Sequence, residues 1–379
     1  MKRFIRNLTK IQIILTILGT VSFLIFLGLQ AAGNMIPNSL EDQQEAKRWS
    51  GEGGTAQVSC FFSQGAGITG EQLTSFEKQL DSVLKEDSIE PPNKNARLWS
   101  STYSGTGKVT VVSDKGKLTA NAIGVSGDFF MFHPLKLISG GFFSGSDIMN
   151  DYVVIDEDAA WQLFGSNDVA GMQVEIGGVP HTIVGVVERA SGKINKAAGL
   201  DATTVYVSYN TLENYGTSYG INCYEIVMPN PISGFALSTV KSKLTVDEKD
   251  IMLVENTKRF SLFSLFSVIR DFGVRSMSKQ EIIFPYWENV ARYYEDQLAV
   301  ILALKLIFLL FPVILIIILA VRAFRHRKWH WRDLLQVLSF LWMKLWQLIK
   351  KVFTNLKKSE YDESDEIETQ KKHKRGKKS

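Results

Sequence analysis

The sequence has no phosphate-binding loop of the G-x-x-x-x-G-K-[ST] type. Gly107-Lys108 and Gly192-Lys193 lack both the first glycine and the Ser or Thr that should follow the lysine. Such a loop cradles nucleotide phosphates on its backbone N–H groups. Its absence predicts that this chain does not hydrolyse ATP.

Histidine is scarce, with five residues in 379. His133 and His181 stand apart from other ligand-type residues, and each is expected to be an ordinary surface or core side chain. His326 and His330 have i,i+4 spacing, but the Arg, Lys and Trp residues around them would repel a cation. Metal sites and Ser/His/Asp triads both need several converging groups. We therefore expect no metal, no cofactor and no catalytic residue, and predict that the chain is not an enzyme.

Charge is almost absent from two long apolar runs. Ile11–Leu29 contains no charged residue, and Leu298–Val321 contains one, Lys305. A bilayer core needs roughly 20 helical residues, so we predict transmembrane helices at 11–29 and 298–321. The "LQAAG" that follows the first run leaves a cleaved signal peptide open, although the length of the run favours an uncleaved anchor. Lys305 is expected to snorkel to the outer headgroups or to pair with a partner helix.

The residues that flank the two runs predict their orientation. Basic residues precede the first run and follow the second: Lys2, Arg3, Arg6 and Lys10, then Arg322, Arg325, Arg327 and Lys328. No Lys or Arg occurs from position 30 to 46, and Glu295 and Asp296 precede the second run. The positive-inside rule then places both termini, including the basic N-terminus 1–10, in the cytoplasm. Residues 30–297 are expected to be extracytoplasmic, in a protein of the plasma or inner membrane.

A glycine-rich stretch, Gly65 to Gly70 (GAGITG), satisfies the G-x-G-x-x-G pattern of dinucleotide sites. Its predicted extracytoplasmic location excludes a cytoplasmic cofactor, and no acidic residue ends the next strand-like stretch, Ala96–Tyr103. Thr69-Gly70-Glu71-Gln72 reads as a helix capping box instead. The stretch therefore predicts a strand-to-helix turn.

The extracytoplasmic segment alternates strands with a few helices. One strand–helix–strand unit comprises Ala56–Phe62, Glu71–Lys85 and Ala96–Tyr103, and a later unit comprises Cys223–Met228, Ser233–Leu244 and Ile251–Asn256. Between them lie two hairpins, Lys108–Ser113 with Leu118–Val125 and Met172–Ile176 with His181–Val187, and a helix, Glu157–Phe164, capped by Asp156 and ended by Gly165. We expect the two units to pack together, with the hairpins inserted between them.

Three stretches carry a family resemblance: Val125 to Gly145 (VSGDFFMFHPLKLISGGFFSG), Asp151 to Gly165 (DYVVIDEDAAWQLFG) and Val169 to Glu188 (VAGMQVEIGGVPHTIVGVVE). Over about residues 56–257, the chain resembles the periplasmic core domain of MacB-like (FtsX/MacB-type) ABC transporter permeases. The resemblance implies an α+β, two-lobed extracytoplasmic domain between the two transmembrane helices. One lobe is ferredoxin-like, at about 56–120 with 222–257, and the inserted lobe, at about 121–221, is mostly β. A membrane-proximal stalk, 258–297, follows.

The same resemblance bears on the two cysteines, Cys60 and Cys223. If the two strand–helix–strand units pack as the family implies, their strands are neighbours and a disulfide becomes possible. The alternative is a pair of buried thiols that pack as small hydrophobic side chains.

Composition divides the chain after the second run. Residues 322–358 are basic and rich in Trp and Leu, which predicts an interfacial helix in the cytoplasmic leaflet, with a third span at 331–353 as the alternative. Residues 359–379 are predicted to be a disordered charged tail. The basic side chains here are expected to contact anionic lipid, and nucleic acid is not expected: Arg322, Arg325, Arg327, Lys328, Lys371, Lys372, Lys374 and Arg375.

One departure from the family bears on function. Related permeases carry three further helices and a short cytoplasmic helix that docks on the ATPase, and "RAFRHRKWHWRDLLQ" after Val321 shows no such sequence. We expect an accessory or degenerate permease-like subunit of an ABC-type assembly for export, peptide resistance or lipoprotein handling. Its domain would bind substrate or partner, or relay motion. The expected partners are the bilayer, a separate ABC ATPase subunit and a four-helix permease. The alternative is a standalone cell-envelope sensor or scaffold.

The predicted topology is testable with reporter fusions. A reporter after Ser379 or before Lys2 should be cytoplasmic, and one inserted near Gly192 should be extracytoplasmic, because the flanking charges set both orientations. An extracytoplasmic C-terminus would contradict the two-helix topology and favour the third span at 331–353.

Overall fold

The computed structural model describes residues 10–51, 53–91, 93, 96–145, 147, 150–275 and 282–326. In these residues the α-helices are α1 (Lys10–Asn38), α2 (Glu45–Ser50), α3 (Gly70–Glu86), α4 (Phe129–Phe132), α5 (Glu157–Phe164), α6 (Lys193–Ala198), α7 (Tyr209–Tyr215), α8 (Phe235–Lys243), α9 (Leu262–Arg275) and α10 (Tyr286–His326). Short 3-10 turns occupy Glu41–Gln43, Gln64–Ala66 and Asn256–Lys258. The strands are β1 (Thr55–Phe62), β2 (Ser100–Ser113), β3 (Gly116–Gly127), β4 (Leu137–Gly140), β5 (Tyr152–Asp156), β6 (Gln173–Ile176), β7 (Val179–Val187), β8 (Thr204–Ser208), β9 (Thr217–Pro229) and β10 (Ile251–Glu255).

Two helices, α1 and α10, are long and apolar enough to cross a membrane, over Ile14–Asn38 and Tyr286–Val321. Only 11% and 6% of their most apolar windows are buried, unlike the core helix of a globular domain. The chain divides into two compact units, one of which is Phe23–Leu309. In the other unit the two helices pack together at Gly19 and Leu315. They approach so closely there that a Cβ added to Gly19 would lie 2.9 Å from Leu315 Cδ2.

The first lobe of the larger unit is a four-stranded antiparallel sheet in the order β10-β1-β9-β2. Helices α3 and α8 cover one face, where Phe76, Leu80 and Val240 pack against Tyr224 and Met228. Each helix connects two strands of this sheet, so the connectivity is βαββαβ. The ferredoxin-like lobe predicted from the sequence is therefore present.

The inserted lobe is mostly β, as predicted. Its strands follow the order β3-β8-β5-β7, and β6 pairs with both β7 and the C-terminal end of β2, so the strands form a closed path. Helix α5 contributes Ala159, Ala160 and Leu163 to the core inside this path. Asp156 caps α5 by accepting a hydrogen bond from the N–H of Ala159, and Gly165 ends it in the left-handed region, as the sequence predicted.

Strand β2 differs from the prediction. Ala96–Tyr103 and Lys108–Ser113 were expected as separate strands, but Ser100–Ser113 is continuous and belongs to both lobes. The intervening glycines admit the backbone of β9: a Cβ on Gly107 would lie 2.1 Å from the carbonyl oxygen of Thr217. These glycines mark a close approach and a β-bulge rather than a break between strands.

The glycine-rich stretch adopts the predicted turn and cap. Gly67 has φ +59°, and the Gln72 N–H donates to Thr69 Oγ1 while the Thr69 N–H donates to Gln72 Oε1. Both halves of the capping box are thus formed at the start of α3.

Replacement of Thr69 by Ala removes the side-chain acceptor of this cap. We expect the free energy of unfolding of the full chain in detergent to fall by about 1 kcal/mol. Thr74→Ala, on the same helix, is the matched control and should be neutral or slightly stabilising because Ala has the higher helix propensity. Equal effects of the two substitutions in denaturant titrations would contradict the capping role.

Candidate functional site

A set of hydrogen-bonded polar side chains lies on the sheet face that α3 and α8 leave uncovered. We call it the buried polar network, and its members are Asp42, Gln43, Ser59, His133, Glu225, Asn256, Arg259, Glu288 and Glu295. All except Asp42 are buried. Buried charges need partners to offset their lost hydration, so the contacts of this network are strongly constrained.

The network starts at His133, directly after α4. Its Nδ1 lies 2.8 Å from Asp42 Oδ1 and its Nε2 lies 2.5 Å from Glu225 Oε2. Its ring packs against Phe129 and Trp287, with centroid separations of 4.7 and 4.1 Å. Since ionised carboxylates only accept hydrogen bonds, both ring nitrogens donate and the imidazole is protonated.

Electrostatics support the same protonation state. Burial lowers the pKa of His133, but the charge of Glu225 and the hydrogen bonds to Asp42 and Glu225 outweigh it and raise the pKa from 6.5 to about 9. His133 thus forms a cationic bridge between β9 and the 3-10 turn that follows α1.

The network continues through β1 to the segment after β10. Ser59 Oγ donates to Glu225 Oε1 at 2.6 Å, and Asn256 Nδ2 donates to Ser59 Oγ at 2.7 Å. Arg259 Nη1 contacts Asn256 Oδ1 at 3.4 Å. The sheet is therefore linked to Arg259 through neutral side chains.

Arg259 binds two carboxylates of α10. Its Nη1 and Nη2 donate to the two oxygens of Glu288 at 2.6 and 2.8 Å, and its Nε donates to Glu295 Oε1 at 2.8 Å. Glu288 and Glu295 are seven residues apart, so they lie on one helix face two turns from each other. Arg259 Nη1 also donates to Gln43 at 3.2 Å, next to Asp42. One guanidinium thus joins α10 to the turn after α1 and to the segment after β10.

The geometry suits mechanical linkage rather than chemistry. Asp42 and Glu225 bind opposite nitrogens of His133, so these groups do not converge on one metal ion. Across the described ranges, no group of three or more His, Cys, Asp or Glu side chains could hold a metal. Removing one partner of a buried ion pair typically costs about 3–5 kcal/mol, so the contacts of Arg259 resist separation of the elements they join.

The possible disulfide is not formed. Cys60 and Cys223 lie on adjacent strands, as the resemblance implied, but both are free and buried. Cys60 pairs in register with Tyr224 and faces the helix-covered side of the sheet, whereas Cys223 pairs with Phe61 and faces the other side. Because adjacent residues of a strand point to opposite faces, the two thiols cannot meet. Burial raises the pKa of both thiols, and the Glu225 charge adds to that rise.

The structure describes only some of the other predicted sites. Lys305 is half-buried, and its Nζ lies 3.9 Å from the position of a Cβ on Gly33, so it lies against the first apolar helix. Arg322 and Arg325 lie in the last turns of α10. The remaining predicted lipid contacts lie outside the described residues: Arg327, Lys328, Lys371, Lys372, Lys374 and Arg375. The interfacial helix at 322–358 lies outside them from residue 327 onward, and the tail at 359–379 lies wholly outside them.

Sequence reasoning missed most of the network. His133 was expected to be an ordinary surface or core residue, and the carboxylates of Glu225 and Glu288 were not singled out. The one available signal is the seven-residue spacing of Glu288 and Glu295 in the aromatic stretch before the second apolar run. Arg259 carries no local signal, because its partners lie 29 and 36 residues further along the chain.

The protonated state of His133 predicts a pH-dependent stability. The pKa of His133 is near 6.5 in the unfolded chain and about 9 in the folded chain. Between these pH values, unfolding releases the proton. A rise in pH therefore favours the unfolded state. We expect the free energy of unfolding of the full chain to fall by up to roughly 3 kcal/mol across this window.

His133→Gln should remove this component of the pH dependence in denaturant titrations performed from pH 6 to 9. His181→Gln is the control: His181 is also buried, but it contacts the Val179 carbonyl and the Thr211 hydroxyl instead of carboxylates. A wild-type stability that does not decline above pH 6.5, or a decline that persists in His133→Gln, would contradict the assignment.

Comparison with solved structures gives low overall similarity. The periplasmic region of MacB from Actinobacillus actinomycetemcomitans is 19% identical with a TM-score of 0.38, over 57% of this chain and 92% of that one. The extracellular domain of the noncanonic ABC-type transporter YknZ from Gram-positive bacteria is 15% identical with a TM-score of 0.33, over 52% of this chain and 99% of that one.

Curated relatives match shorter stretches. The macrolide export ATP-binding/permease protein MacB of Chromobacterium violaceum is 32% identical over 96 residues, which are 25% of this chain and 14% of the relative. MacB of Pasteurella multocida is 33% identical over 106 residues, 27% of this chain and 16% of the relative, and MacB of Escherichia coli is 24% identical over 179 residues, 46% and 27%. The matched stretches thus span less than a third of these relatives.

The family comparison covers more of the chain. A family model described as the MacB-like periplasmic core domain matches residues 13–244, well over half of the 379 residues. The match includes β1 to β9 and α8, which is most of both lobes, and part of the first apolar helix. The chain therefore belongs to the family of MacB-like periplasmic core domain proteins.

Proposed function

We propose that this chain is a membrane-anchored, permease-like subunit of an ABC-type transport assembly, accessory to a separate ATPase and a four-helix permease. Its two-lobed domain would contact substrate or a partner protein and relay motion between that partner and the membrane helices. The observation that carries the proposal is the buried polar network, which joins the sheet of the domain to α10 through Arg259.

The contacts of the network give the proposed relay a route. A displacement of β1 or β9 reaches Arg259 through Glu225, Ser59 and Asn256. Arg259 transmits it to α10 at two points, two turns apart. Salt bridges buried to this degree act as fixed joints because their separation leaves an unpaired charge. The joined elements would therefore move together.

The energy source would lie outside these residues. The 379 residues contain no G-x-x-x-x-G-K-[ST] motif, so ATP would be hydrolysed by a nucleotide-binding domain elsewhere in the assembly. The names of the curated relatives include an ATP-binding part, and the stretches matched here cover only part of those proteins.

The proposed topology follows from flanking charge. The domain would be extracytoplasmic and both termini cytoplasmic, in the plasma or inner membrane. Basic residues beyond the second apolar run, beginning with Arg322, would contact anionic lipid. The proposed domain limits remain 30–297 for the extracytoplasmic part, with lobes at about 56–120 with 222–257 and at 121–221.

The proposal is testable by reconstitution in nanodiscs with a candidate ABC ATPase, with and without a four-helix permease. The purified chain should have no ATPase activity and should not stimulate the ATPase by itself, whereas the three-component mixture should show stimulated hydrolysis. Arg259→Gln should lower that stimulation by about tenfold, equivalent to roughly 1.4 kcal/mol of coupling, while co-purification of the three proteins persists.

Two matched variants separate the relay from general damage. Arg259→Lys keeps the charge but loses the bidentate contact with Glu288, and should give an intermediate effect. Arg189→Gln removes an ion pair with Asp158 inside the inserted lobe and should leave stimulation unchanged. Full stimulation in Arg259→Gln would contradict the relay. Stimulation by the two-component mixture would identify a full permease, and failure to associate with any ATPase would favour the standalone sensor or scaffold.

A further inference from the structure

Helix α9 (Leu262–Arg275) is amphipathic and lies next to the apolar helices. Leu265 and Val268 are buried on one side, and the half-buried Ser264, Ser267 and Asp271 form a polar sector next to Val268. These polar side chains are hydrogen-bonded within the segment, with Ser264 to Ser261 and Ser267 to Asp271. The helix has further apolar side chains that contacts within the protein leave exposed.

The contacts of the buried side of α9 show which part of the apolar helices it lies against. Leu265 packs in one cluster with Leu298 and Leu302 of α10, with Ile36 near the end of α1 at its edge. Leu298 is the first residue of the charge-poor run 298–321. Helix α9 therefore contacts both apolar helices at the extracytoplasmic entrance of that run.

The remainder of the apolar sector is open. Leu262, Phe263 and Phe266 are exposed large side chains, and Phe263 is 89% exposed. We call these three the free apolar face of α9. At 100° per residue they span a sector of about 100°, which begins at Leu262 beside Ile269 and ends at Phe263 beside Ser267. Aromatic and aliphatic side chains clustered in this way on a water-exposed surface are unfavourable, so the face needs an apolar environment.

Continuity identifies that environment. The free apolar face is adjacent to Leu265, which contacts Leu298 and Leu302, and exposed apolar side chains continue down α10 at Val300, Leu304 and Ile307. Lipid around those side chains would also reach the level of α9. Arg270 lies between Phe266 and Phe263 in this sector, and its exposed guanidinium, which pairs with Asp271, can reach headgroup phosphates.

We propose that α9 is an interfacial helix that lies in the extracytoplasmic headgroup region of the bilayer, with its free apolar face inserted among the acyl chains. It would anchor the base of the domain to the membrane surface beside the two spanning helices. The inference relies on the spanning assignment of α10, and the test separates failure of the one from failure of the other.

The test is spin-label accessibility in the full chain, reconstituted in phosphatidylcholine nanodiscs. Labels at Phe263→Cys and Phe266→Cys should collide with oxygen more often than with a water-soluble nickel chelate. A label at Asp271→Cys, on the polar side, should show the reverse. The bilayer control is Ile307→Cys in α10, and the water control is Trp161→Cys on the inserted lobe, both at exposed positions. The native Cys60 and Cys223 are buried, and an unsubstituted sample corrects for any label they take up.

Each contrary result has a defined meaning. Water-like accessibility at Phe263 and Phe266 with lipid-like accessibility at Ile307 would overturn the inference alone. Water-like accessibility at Ile307 would overturn the spanning assignment and the inference together. Shielding of Phe263 and Phe266 from both reagents, with dipolar broadening between labels, would show that a second copy covers the face and would also overturn the inference.

Discussion

The buried guanidinium of Arg259 holds together α10, the turn after α1 and the segment after β10. It holds Glu288 and Glu295 of α10, touches Gln43 beside the end of α1, and contacts Asn256 at the end of the last sheet strand. The two carboxylates raise its pKa against the effect of burial, so it remains charged. Without this cation, two carboxylates would be left in a site that water does not reach, at a cost well above that of a surface ion pair.

His133 is the second cation of the buried polar network. It lies between Asp42 and Glu225 as Arg259 lies between Glu288 and Glu295, and Ser59 and Asn256 connect the two centres. In each centre one cation faces two carboxylates, which strongly favours the protonated states. The aromatic rings of Phe129 and Trp287 pack against the fully buried His133 and help keep water from competing for its hydrogen bonds.

The sequence predicts the fold well wherever its signals are local. The cap at Asp156 and the stop at Gly165 specify an element within a few residues, and the structure has them. Signals were misread where a local feature served a distant contact. Residues 104–107 were expected to separate two strands, but Gly107 accommodates the backbone of β9 within one continuous strand. The network was out of reach because its members come from six separated segments, and pairing of that kind leaves no periodicity in the sequence.

Helix α9 and the two cysteines show different limits of prediction from the sequence. Helix α9 carries a helical apolar period that the sequence could have revealed, but the segment was treated as an undivided stalk. For the cysteines, the neighbouring strands were predicted correctly, and only the face of each thiol decided the outcome. Knowing that two strands are neighbours does not reveal on which sheet face each thiol lies, since a shift of one residue in register moves a side chain to the other face.

Strand β2 also determines how the domain comes apart. One edge of β2 pairs with β9 of the first sheet over Ser100–Lys108 and with β6 of the inserted lobe at Val111 and Val112, and the other edge pairs with β3 along nearly its whole length. Neither lobe can lose β2 without exposing unpaired edges in the other, so the two lobes open cooperatively rather than as independent foldons. The amides in the middle of β2 are then among the last in the domain to exchange with solvent, and a nick between the lobes would not release a stable fragment.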